Sequence, residues 1–554
     1  MVNDIKTKPN GRCKSKKPVR TRRVRRRAPS GNSARSIKKE NQRKQDKPEY
    51  KSPEQLIEER SEFSESVKAE AARIPTVLSP SSIAGELKRG RRDLRHLEIV
   101  TIDSEETKDV DDAISIERLP GGAYLLGVHI ADVAHYVREG TALDAAAYER
   151  GTSVYLEGRV LPMLPPRLSN GICSLNAGED RLALSVLMTI DKEGEICRYE
   201  IFESLIRVKY KITYKQIYAL FEGDTPSYRQ EALREEYRQH LEDLQAMREL
   251  AELRHAVRYR RGSIDFDFPE THVTTDREGK PVEVEAERST FANRIIEEFM
   301  LAANETVAEH FSRMRIPFLY RVHGRPEQEK IIKLSLEIRS MGYTLRGRGT
   351  LRPHTIQSLL EKVKGKAAEP IISMLTLRAM QKAEYSPKNE GHFGLAAENY
   401  THFTSPIRRY PDLFVHRMIK ETLHDKMTAE RQAELRTFAA EAAKHCSEAE
   451  REAESAERLH TDRLMAEYMS NYIGEEFDGI ICNITSFGIF VQLENSAEGL
   501  VFYSSMPDYM VFDEKKMIAS GESNRRKYAI GDPARVKVVN CNIKMGQIEF
   551  HFAK

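Results

Sequence analysis

Four aspartates within ten residues are the side chains of this sequence best suited to chemistry: Asp103, Asp109, Asp111 and Asp112. Lys108 is the one basic residue among them. Two carboxylates ~4 Å apart repel by about 4 kcal/mol at an effective dielectric of ~20, so a fold that gathers several usually gathers them around a cation. Hard oxygen ligands suit Mg²⁺ or Mn²⁺, and Mg²⁺ that shares its shell between carboxylates and phosphate oxygens is typical of phosphodiester chemistry. The cluster therefore predicts a metal site for that chemistry.

An acidic turn on the surface is the alternative interpretation of this segment, and its flanks argue against it. Residues 97–102 read as a strand that runs into Asp103, and residues 113–116 alternate as the next strand begins. The aspartates would then lie at two strand ends and in the loop between them, where rigid elements can hold them together. An EF-hand calcium loop is excluded, because Lys108 or Ile114 would occupy its required glycine position.

The elements around the cluster predict a mixed domain. Residues 96–425 combine short strands with long apolar-periodic helices, including 293–310 and 328–341. Residues 429–470 contain no Gly or Pro and are rich in Ala and Glu, which predicts one long helix packed against the preceding domain. A coiled coil is the rival interpretation, but apolar residues are too sparse for sustained heptads.

A change of composition after residue 474 predicts a second domain. Five short alternating strands follow within residues 477–550, which suits a small OB-type barrel. Such barrels bind single strands by stacking bases on surface aromatics and by following phosphates with basic residues. Phe487, Phe490 and Phe502 are the candidate stacking residues, although strand alternation is expected to send at least one of them into the core.

The charge of the chain is divided unevenly. Residues 1–50 hold 18 Lys and Arg against 4 Asp and Glu, a net charge of +14, whereas the remainder has 70 basic and 81 acidic residues, a net charge of −11. With few apolar residues, this basic arm is expected to be disordered and to contact RNA, ribosomes or another polyanion. A solvated tail without a specific partner is the alternative.

Several classes of protein are disfavoured. No run of 18 apolar residues and no secretory signal is present, so no membrane span is expected and the cytoplasm is the expected location. The six cysteines form no C-x-x-C pair, which argues against structural zinc and a disulfide framework. The spacing H-x-x-D-x-x-H at residues 129–135 could hold a metal on a helix face, but residues 124–130 read as a buried strand, so a structural role is favoured.

Two motifs resemble the ribonuclease II/ribonuclease R family of exoribonucleases, whose catalytic unit is the RNB domain. They are the aspartate pattern I-D-x-x-x-x-x-D-x-D-D-A and the segment Tyr400–Tyr410, followed by Pro-Asp. The resemblance implies that the four aspartates bind two Mg²⁺ ions, with Mn²⁺ as a substitute, and that Asp111 acts most directly in catalysis. It also implies that Arg408 clamps the scissile phosphate, while Arg409 is expected to form a structural salt bridge. From the residues alone, Ser405-Pro406 is expected to start a helix whose N-terminus suits phosphate.

The same resemblance assigns contacts to the RNA 3′ end. Tyr155 and Phe266 would clamp the stacked nucleotides, with Phe268 as the competitor for the second position. Tyr214 and a glutamate, Glu297 or Glu298, would lie near the ribose. Adjacent helical residues point ~100° apart, so only one of the two can face the site, and Glu298 is our choice. A ribose contact matters because the 2′-hydroxyl distinguishes RNA from DNA.

The C-terminal strands resemble an S1 RNA-binding domain. The expected fold class is therefore an α+β catalytic RNB domain followed by an all-β OB-fold barrel, preceded by a disordered basic arm. The lead-in would hold a charged helix and then a Pro/Ser-rich break at residues 79–82. The expected boundaries are 1–50 for the arm, 51–95 for the lead-in, 96–470 for the catalytic domain with its C-terminal helices, and 471–554 for the S1 domain.

The function implied by the resemblance is that of a monomeric, Mg²⁺-dependent, processive 3′→5′ exoribonuclease. It would hydrolyse single-stranded RNA to nucleoside 5′-monophosphates in RNA decay and quality control. Family members usually carry cold-shock barrels before the catalytic domain, and residues 1–95 are too few for one barrel plus a linker. The alternatives are a natural short form and a truncated or misassigned start. Two other functions stay open: an RNA-binding protein with a degenerate site, and a ribosome-associated factor that uses the arm.

Overall fold

Strands of the first domain build the frame on which the aspartates lie. The computed structural model describes residues 50–222, 227–266, 268–345, 351–366, 368–514 and 517–553. The expectation of disorder in the basic arm falls on residues 1–49, outside this part of the chain. The strands before the barrel are β1 (Arg92–Asp93), β2 (Val100–Asp103), β3 (Asp112–Leu119), β4 (Ala123–Ala131), β5 (Val154–Leu156), β6 (Arg159–Leu161), β7 (Asp180–Ile190), β8 (Ile196–Arg207), β9 (Tyr210–Thr213), β10 (Glu270–Thr275), β11 (Pro281–Glu287), β12 (Tyr320–Val322) and β13 (Glu384–Ser386).

Helices cover this frame and connect it to the barrel. They are α1 (Pro53–Arg60), α2 (Glu65–Arg73), α3 (Pro80–Lys88), α4 (Val133–Tyr136), α5 (Ala142–Arg150), α6 (Tyr214–Phe221), α7 (Ser227–Glu236), α8 (Leu241–Arg261), α9 (Phe291–Met314), α10 (Gln328–Ser340), α11 (Pro353–Val363), α12 (Glu369–Ala379), α13 (Tyr410–Leu423) and α14 (Ala429–Ser470). The predicted helices over 293–310, 328–341 and 429–470 are confirmed as α9, α10 and α14.

A seven-stranded sheet runs in the order β1-β8-β7-β4-β3-β2-β9. Its inner neighbours are antiparallel, and β1 and β9 add in parallel at the two edges. Because β2 and β3 are antiparallel partners, the end of β2 and the start of β3 lie at the same edge of the sheet. Asp103 is the last residue of β2 and Asp112 the first of β3, so the predicted placement of the aspartates at strand ends is confirmed.

The lead-in differs from expectation at the Pro/Ser-rich segment. We expected a break at residues 79–82, and these residues instead begin α3. The Ser79 side chain accepts a hydrogen bond from the Ser82 N–H, and Pro80 occupies the first helical turn. Serine at the N-cap and proline in the first turn both favour a helix start. The Ser- and Pro-rich residues that we expected to interrupt the helical structure therefore begin α3.

The long helix α14 connects the sheet domain to the barrel. It begins after Thr428, whose side chain accepts a hydrogen bond from the Arg431 N–H. Leu435 and Ala439 pack into the core of the sheet domain, and Met465 and Met469 pack into the core of the barrel. One uninterrupted helix therefore contributes to both cores, and residues 51–554 form a single compact unit.

The C-terminal strands close into a five-stranded barrel, as predicted. Its order is β14-β15-β16-β21-β20, formed by β14 (Glu476–Ile484), β15 (Gly488–Leu493), β16 (Glu498–Phe502), β20 (Pro533–Asn542) and β21 (Gln547–Phe552). A three-stranded sheet between β16 and β20 was not predicted. It consists of β17 (Met510–Asp513), β18 (Ile518–Gly521) and β19 (Lys527–Ala529).

Two further findings bear on the protein class. Among the described residues, no helix has the length and apolar character needed to cross a bilayer. The described cysteines are all free thiols, namely Cys173, Cys197, Cys446, Cys482 and Cys541.

Close packing in the barrel gives a first prediction. Gly499 faces the ring of Phe550, and a Cβ at that position would overlap the ring. Gly499→Ala should lower the free energy of unfolding by about 1–3 kcal/mol, because overpacking forces the ring or the strand to move. Gly85→Ala is the matched control: it lies in α3 with open space around it and should stabilise by about 0.5–1 kcal/mol. Equal effects of both substitutions in chemical denaturation would contradict this packing.

Candidate active site

A cleft of about 660 Å³ opens at the edge of the sheet where β2 ends and β3 begins. It brings together most of the residues singled out from the sequence. The lining includes Asp103, Asp109, Asp111, Asp112, Tyr155, Tyr214, Arg408 and Arg409. Apolar residues of α9, among them Ile296, Met300 and Leu301, form another part of the wall. The cleft thus combines a carboxylate-rich end with a basic side and an apolar side.

Asp111 is the most deeply anchored of the four aspartates. Its side chain is 4% exposed, and its Oδ1 accepts a hydrogen bond of 2.8 Å from the Ile407 N–H. Its backbone carbonyl accepts from the Ala131 N–H at 2.9 Å, which ties the start of β3 to the end of β4. Its Oδ2 lies 3.6 Å from Nε of Arg408. The carboxylate is therefore fixed on one side by a backbone donor and faces a guanidinium on the other.

Hydrogen bonds to the Asp412 side chain fix the turn that contains Arg408. The buried Asp412 side chain accepts hydrogen bonds from the Ser405 N–H and from the Arg409 guanidinium, each at 2.8 Å. The predicted structural salt bridge of Arg409 is confirmed. The expected helix start at Ser405-Pro406 is wrong, because these residues form a turn and α13 begins at Tyr410. At this point the structure presents the Arg408 side chain, which is 42% exposed, rather than a helix N-terminus.

Sequence reasoning missed Asp412. Asp412 follows a proline and lies three residues after Arg409, and this position could have indicated its role. On the first turn of a helix, an aspartate at that spacing can reach back to the preceding backbone and side chain.

Burial makes Asp103, Asp111 and Asp112 costly to ionise. It raises the pKa of Asp103 to about 8, with repulsion from Asp112 adding to the effect. Burial also raises the pKa of Asp112 to about 6, although Arg408 and Arg409 oppose it. The pKa of Asp111 is raised well above its ordinary range by burial, despite the attraction of Arg408. A group of carboxylates in this state has a strong requirement for positive charge.

The chemistry of these donors fits a hard divalent cation. Oδ2 of Asp103 and Oδ2 of Asp111 are buried without a hydrogen-bond partner, and such oxygens are costly unless something binds them. In the described parts of the chain, no group of three or more His, Cys, Asp and Glu side chains is arranged to hold a metal ion. Asp109 instead accepts a hydrogen bond of 2.9 Å from the Tyr155 hydroxyl. The side chains thus match a cation in donor type and charge without forming a complete shell.

Tyr155 and Tyr214 both lie in the cleft, as expected. Tyr155 is 40% exposed at the edge of the β5–β6 hairpin, with its hydroxyl on Asp109 and its ring available to a ligand. Tyr214 begins α6, directly after β9, whose parallel pairing with β2 places it beside Asp103. Burial, followed by the charges of Asp112 and Asp103, raises the pKa of the Tyr214 hydroxyl.

The choice of Glu298 as the residue that faces the site is wrong. Glu298 is 2% exposed and accepts hydrogen bonds from Arg258 of α8 at 2.8 and 3.1 Å. Its neighbour Glu297 lines the cleft with a side chain that is 53% exposed. Burial raises the pKa of Glu297, although the Arg258 charge opposes the shift. Glu297 and Glu298 carry the same functional group. Only the packing of α9 against α8 decides that Glu297 faces the cleft and Glu298 faces Arg258.

Phe266 differs from expectation in its position. It lies outside the cleft lining and packs against an apolar cluster with Ile264, Ile356 and Phe393. Its ring stacks on Phe268, with the centroids 5.7 Å apart. The two competitors for one position are thus neighbours in a stacked pair.

None of the three candidate stacking residues of the barrel is buried in its core, so the expectation that at least one is a core residue is wrong. Phe487 and Phe502 are exposed, and Phe490 is half-buried. Phe487 and Phe490 meet edge to face, with centroids 6.2 Å apart, and Phe502 pairs with Gly488 across the strands. Alternation sends Ile489 and Val491 inward, whereas Phe487 precedes β15 and escapes the alternation.

The structural role of residues 129–135 is confirmed. His129 is fully buried between the hydroxyls of Ser115 and Ser185, at 3.0 and 2.7 Å. Asp132 forms a buried ion pair with Lys420 at 2.6 Å. The two residues therefore belong to the scaffold beneath the site.

Comparison with known proteins identifies both domains. Residues 91–425 match the family model described as the RNB domain, and residues 472–550 match the S1 RNA binding domain. Since the first match covers more than half of the chain, the protein belongs to the RNB-domain family. The family resemblance is therefore confirmed, and so is the expected order of an α+β RNB domain followed by an all-β S1 barrel.

Within this family, the chain is similar to proteins named Ribonuclease R. It is 42% identical over 494 residues to Ribonuclease R 1 of Lactococcus lactis subsp. lactis, covering 89% of this chain and 59% of that protein. It is 43% identical over 498 residues to Ribonuclease R of Thermotoga maritima, covering 89% and 68%. A solved structure of Mycoplasma genitalium RNase R in complex with ribose methylated single-stranded RNA superposes with a TM-score of 0.82 at 30% identity, covering 90% of this chain and 77% of that one.

The buried carboxylates generate a second prediction. In the presence of chelator, Asp103→Asn should raise the free energy of unfolding by roughly 1–3 kcal/mol, because it removes a carboxyl group whose ionisation is opposed by burial and whose Oδ2 has no hydrogen-bond partner. Mg²⁺ should raise the Tm of the original protein and raise that of the variant less. Asp478→Asn, on an exposed position of the barrel, is the control and should change neither quantity. A variant that is no more stable in chelator, or that responds fully to Mg²⁺, would contradict the assignment.

Proposed function

We propose that this chain is a divalent-metal-dependent exoribonuclease that degrades single-stranded RNA processively from the 3′ end and releases nucleoside 5′-monophosphates. The observation that carries the proposal is the Asp111 carboxylate, held by the Ile407 N–H and faced by Arg408, in a cleft that contains three further aspartates. Membership of the RNB-domain family, whose relatives here are ribonucleases, supports it.

Asp111 and Arg408 supply the two central functions of the proposed reaction. Oδ2 of Asp111 has no hydrogen-bond partner and is the atom best placed to orient an attacking water. Arg408 is anchored by one bond from its Nη2 to Ser405 Oγ at 2.9 Å, which leaves further donors for the phosphate. A guanidinium fixed in this way can bind phosphate oxygens in a bidentate manner.

The remaining aspartates would hold the metal. Asp103, Asp109 and Asp112, with Asp111, offer oxygen ligands that suit Mg²⁺, or Mn²⁺ as a substitute. When bound, such ions would polarise the phosphate and activate water, and a pair of ions would stabilise the attacking and leaving oxygens. Asp109 would have to release the Tyr155 hydroxyl, or share it, to take part.

Substrate recognition would rest on shape and charge rather than on base identity. The ring of Tyr155 offers a stacking surface at the cleft edge, and Phe487, Phe490 and Phe502 offer another on the barrel. Tyr214 and Glu297 would contact the ribose. The basic arm of residues 1–50 would attract RNA, a ribosome or another polyanion, and the cytoplasm is the proposed location.

A third prediction tests the nuclease activity. Asp111→Asn should abolish cleavage of 5′-labelled RNA in Mg²⁺ and largely retain RNA binding, because this carboxylate acts mainly in the transition state. Glu117→Gln, which removes a charge from an exposed position of the same strand β3, is the control and should cleave normally.

The outcomes separate the candidate functions. Full cleavage by Asp111→Asn, or by the original protein in excess chelator, would overturn the assignment. RNA binding without any cleavage by the original protein would instead favour an RNA-binding factor with an impaired site.

A fourth prediction uses the two adjacent glutamates. Glu297→Ala should reduce the preference for RNA over DNA by about tenfold or more, the value of a hydrogen bond to a charged group. Glu298→Ala should leave that preference unchanged and lower stability by about 1–3 kcal/mol, because Arg258 loses the acceptor of two buried hydrogen bonds while it keeps Asp265. Cleavage of matched RNA and DNA strands, together with thermal unfolding, measures both effects. The reverse pattern would restore Glu298 as the ribose contact.

A further inference from the structure

The hydroxyl of Tyr155 contacts one of the four aspartates, which a role in base stacking does not require. It donates a hydrogen bond of 2.9 Å to Oδ2 of Asp109. Tyr155 and Asp109 both line the cleft, and stacking uses the face of an aromatic ring rather than its hydroxyl. The bond between the hydroxyl and Asp109 therefore serves something other than stacking.

A single buried side chain fixes the backbone on both sides of Asp109. The Ser174 hydroxyl accepts a hydrogen bond of 3.1 Å from the Val110 N–H and donates one of 2.9 Å to the Lys108 carbonyl. Ser174 is fully buried, so these bonds are shielded from water. Because the residues before and after Asp109 are held, its carboxylate can change direction only by rotation of the side chain. The Tyr155 hydroxyl restrains that rotation.

The hairpin that carries the hydroxyl is fixed by a different part of the chain. The Tyr155 N–H donates a hydrogen bond of 2.7 Å to Oε1 of Glu457 on α14. Val154 and Leu156, on either side of Tyr155, belong to a buried apolar cluster with Ala456 of the same helix. Helix α14 therefore sets the position of the donor, and Asp109 receives it.

A carboxylate can accept this hydrogen bond and bind a cation at the same time. An ionised aspartate has about four acceptor positions on its two oxygens, and the Tyr155 hydroxyl uses one of them. Side chains that bind metal ions are commonly oriented by a hydrogen bond to a neighbouring group, and loss of such a partner typically lowers metal affinity about 10–100-fold. The contact is thus of the kind that prepares a ligand for a metal.

We propose that the Tyr155 hydroxyl is a positioning group that orients Asp109 toward a bound divalent cation. One residue would then support the metal site with its hydroxyl and contact RNA with its ring. The inference rests on the proposed function, which makes Asp109 a metal ligand and the Tyr155 ring a stacking surface. Removal of the hydroxyl alone should therefore weaken metal binding and leave RNA binding unchanged.

The chain provides a matched control on the same sheet. The Tyr124 hydroxyl also donates to a carboxylate, Oε2 of Glu249, at 3.1 Å. Tyr124 lies near the start of β4, whereas Ala131 at the other end of β4 bonds to the carbonyl of Asp111. Tyr155→Phe and Tyr124→Phe therefore remove the same atom from the same kind of bond, and only the first substitution reaches the aspartates.

The test is the affinity of the full chain for Mn²⁺ without RNA, measured from the electron paramagnetic resonance signal of the free ion. Tyr155→Phe should bind Mn²⁺ about tenfold more weakly, and Tyr124→Phe should match the original protein. Asp109→Asn should also weaken binding. Adding Tyr155→Phe to Asp109→Asn should cause little further loss, because the hydroxyl acts through Asp109.

A second measurement separates the ring from the hydroxyl. Binding of single-stranded RNA in chelator should be the same for Tyr155→Phe and the original protein, because phenylalanine keeps the stacking surface. Tyr155→Ala should bind that RNA about tenfold more weakly. Equal RNA affinities of Tyr155→Phe and Tyr155→Ala would contradict the division between ring and hydroxyl.

Tighter or unchanged Mn²⁺ binding by Tyr155→Phe would overturn the inference, because the hydroxyl would then compete with the cation or have no part in its binding. Equal losses in Tyr155→Phe and Tyr124→Phe, or additive losses in the double variant with Asp109→Asn, would overturn it as well. Cleavage of labelled RNA in Mg²⁺ by the original protein is measured in parallel. Absence of that cleavage would defeat the proposed nuclease function, whereas the Mn²⁺ affinities still decide the role of the hydroxyl.

Discussion

The burial of several neighbouring carboxyl groups is the constraint on which the rest of this structure depends. Asp103, Asp111 and Asp112 are held where burial raises their pKa values, and two of their oxygens have no hydrogen-bond partner. Such an arrangement persists only because the sheet over-determines it, since β2 and β3 are paired within a seven-stranded frame. Packing in the rest of the domain offsets the free-energy cost of burying these carboxyl groups together. The ionised form of the site is favoured only when positive charge lies close to it.

The positive charge that the protein itself supplies comes from a distant part of the chain. Ile407 and Arg408 approach Asp111 across almost three hundred residues, in a turn that Asp412 and Arg409 hold together beneath the cleft. Thr152 and Ser153, just before β5, bond to the Arg408 carbonyl, so the hairpin with Tyr155 is tied to the same turn. Asp111, Arg408 and the hairpin with Tyr155 are therefore connected to one another by hydrogen bonds and an ion pair.

The two domains are joined by one continuous helix. Helix α14 contributes side chains to the core of each domain. The barrel presents Phe487, Phe490 and Phe502 at its surface, whereas the sheet domain buries its chemistry in a cleft.

The sequence by itself determined the elements and the chemical character of the site. Periodicity sufficed for α9 and the five barrel strands, because a hydrophobic face of fixed period is a local property, and α14 followed from a composition rich in Ala and Glu without Gly or Pro. The motif spacing placed Asp103 and Asp112 at strand ends for the same reason. Only the tertiary structure decided that Glu297, and not Glu298, faces the cleft. It also decided that Ser405-Pro406 forms a turn whereas Ser79 caps a helix. Finally, it decided that Phe266 packs outside the cleft. Those outcomes depend on contacts with partners such as Arg258 and Asp412. The order of residues in the chain does not show which side chains such partners contact in the folded protein.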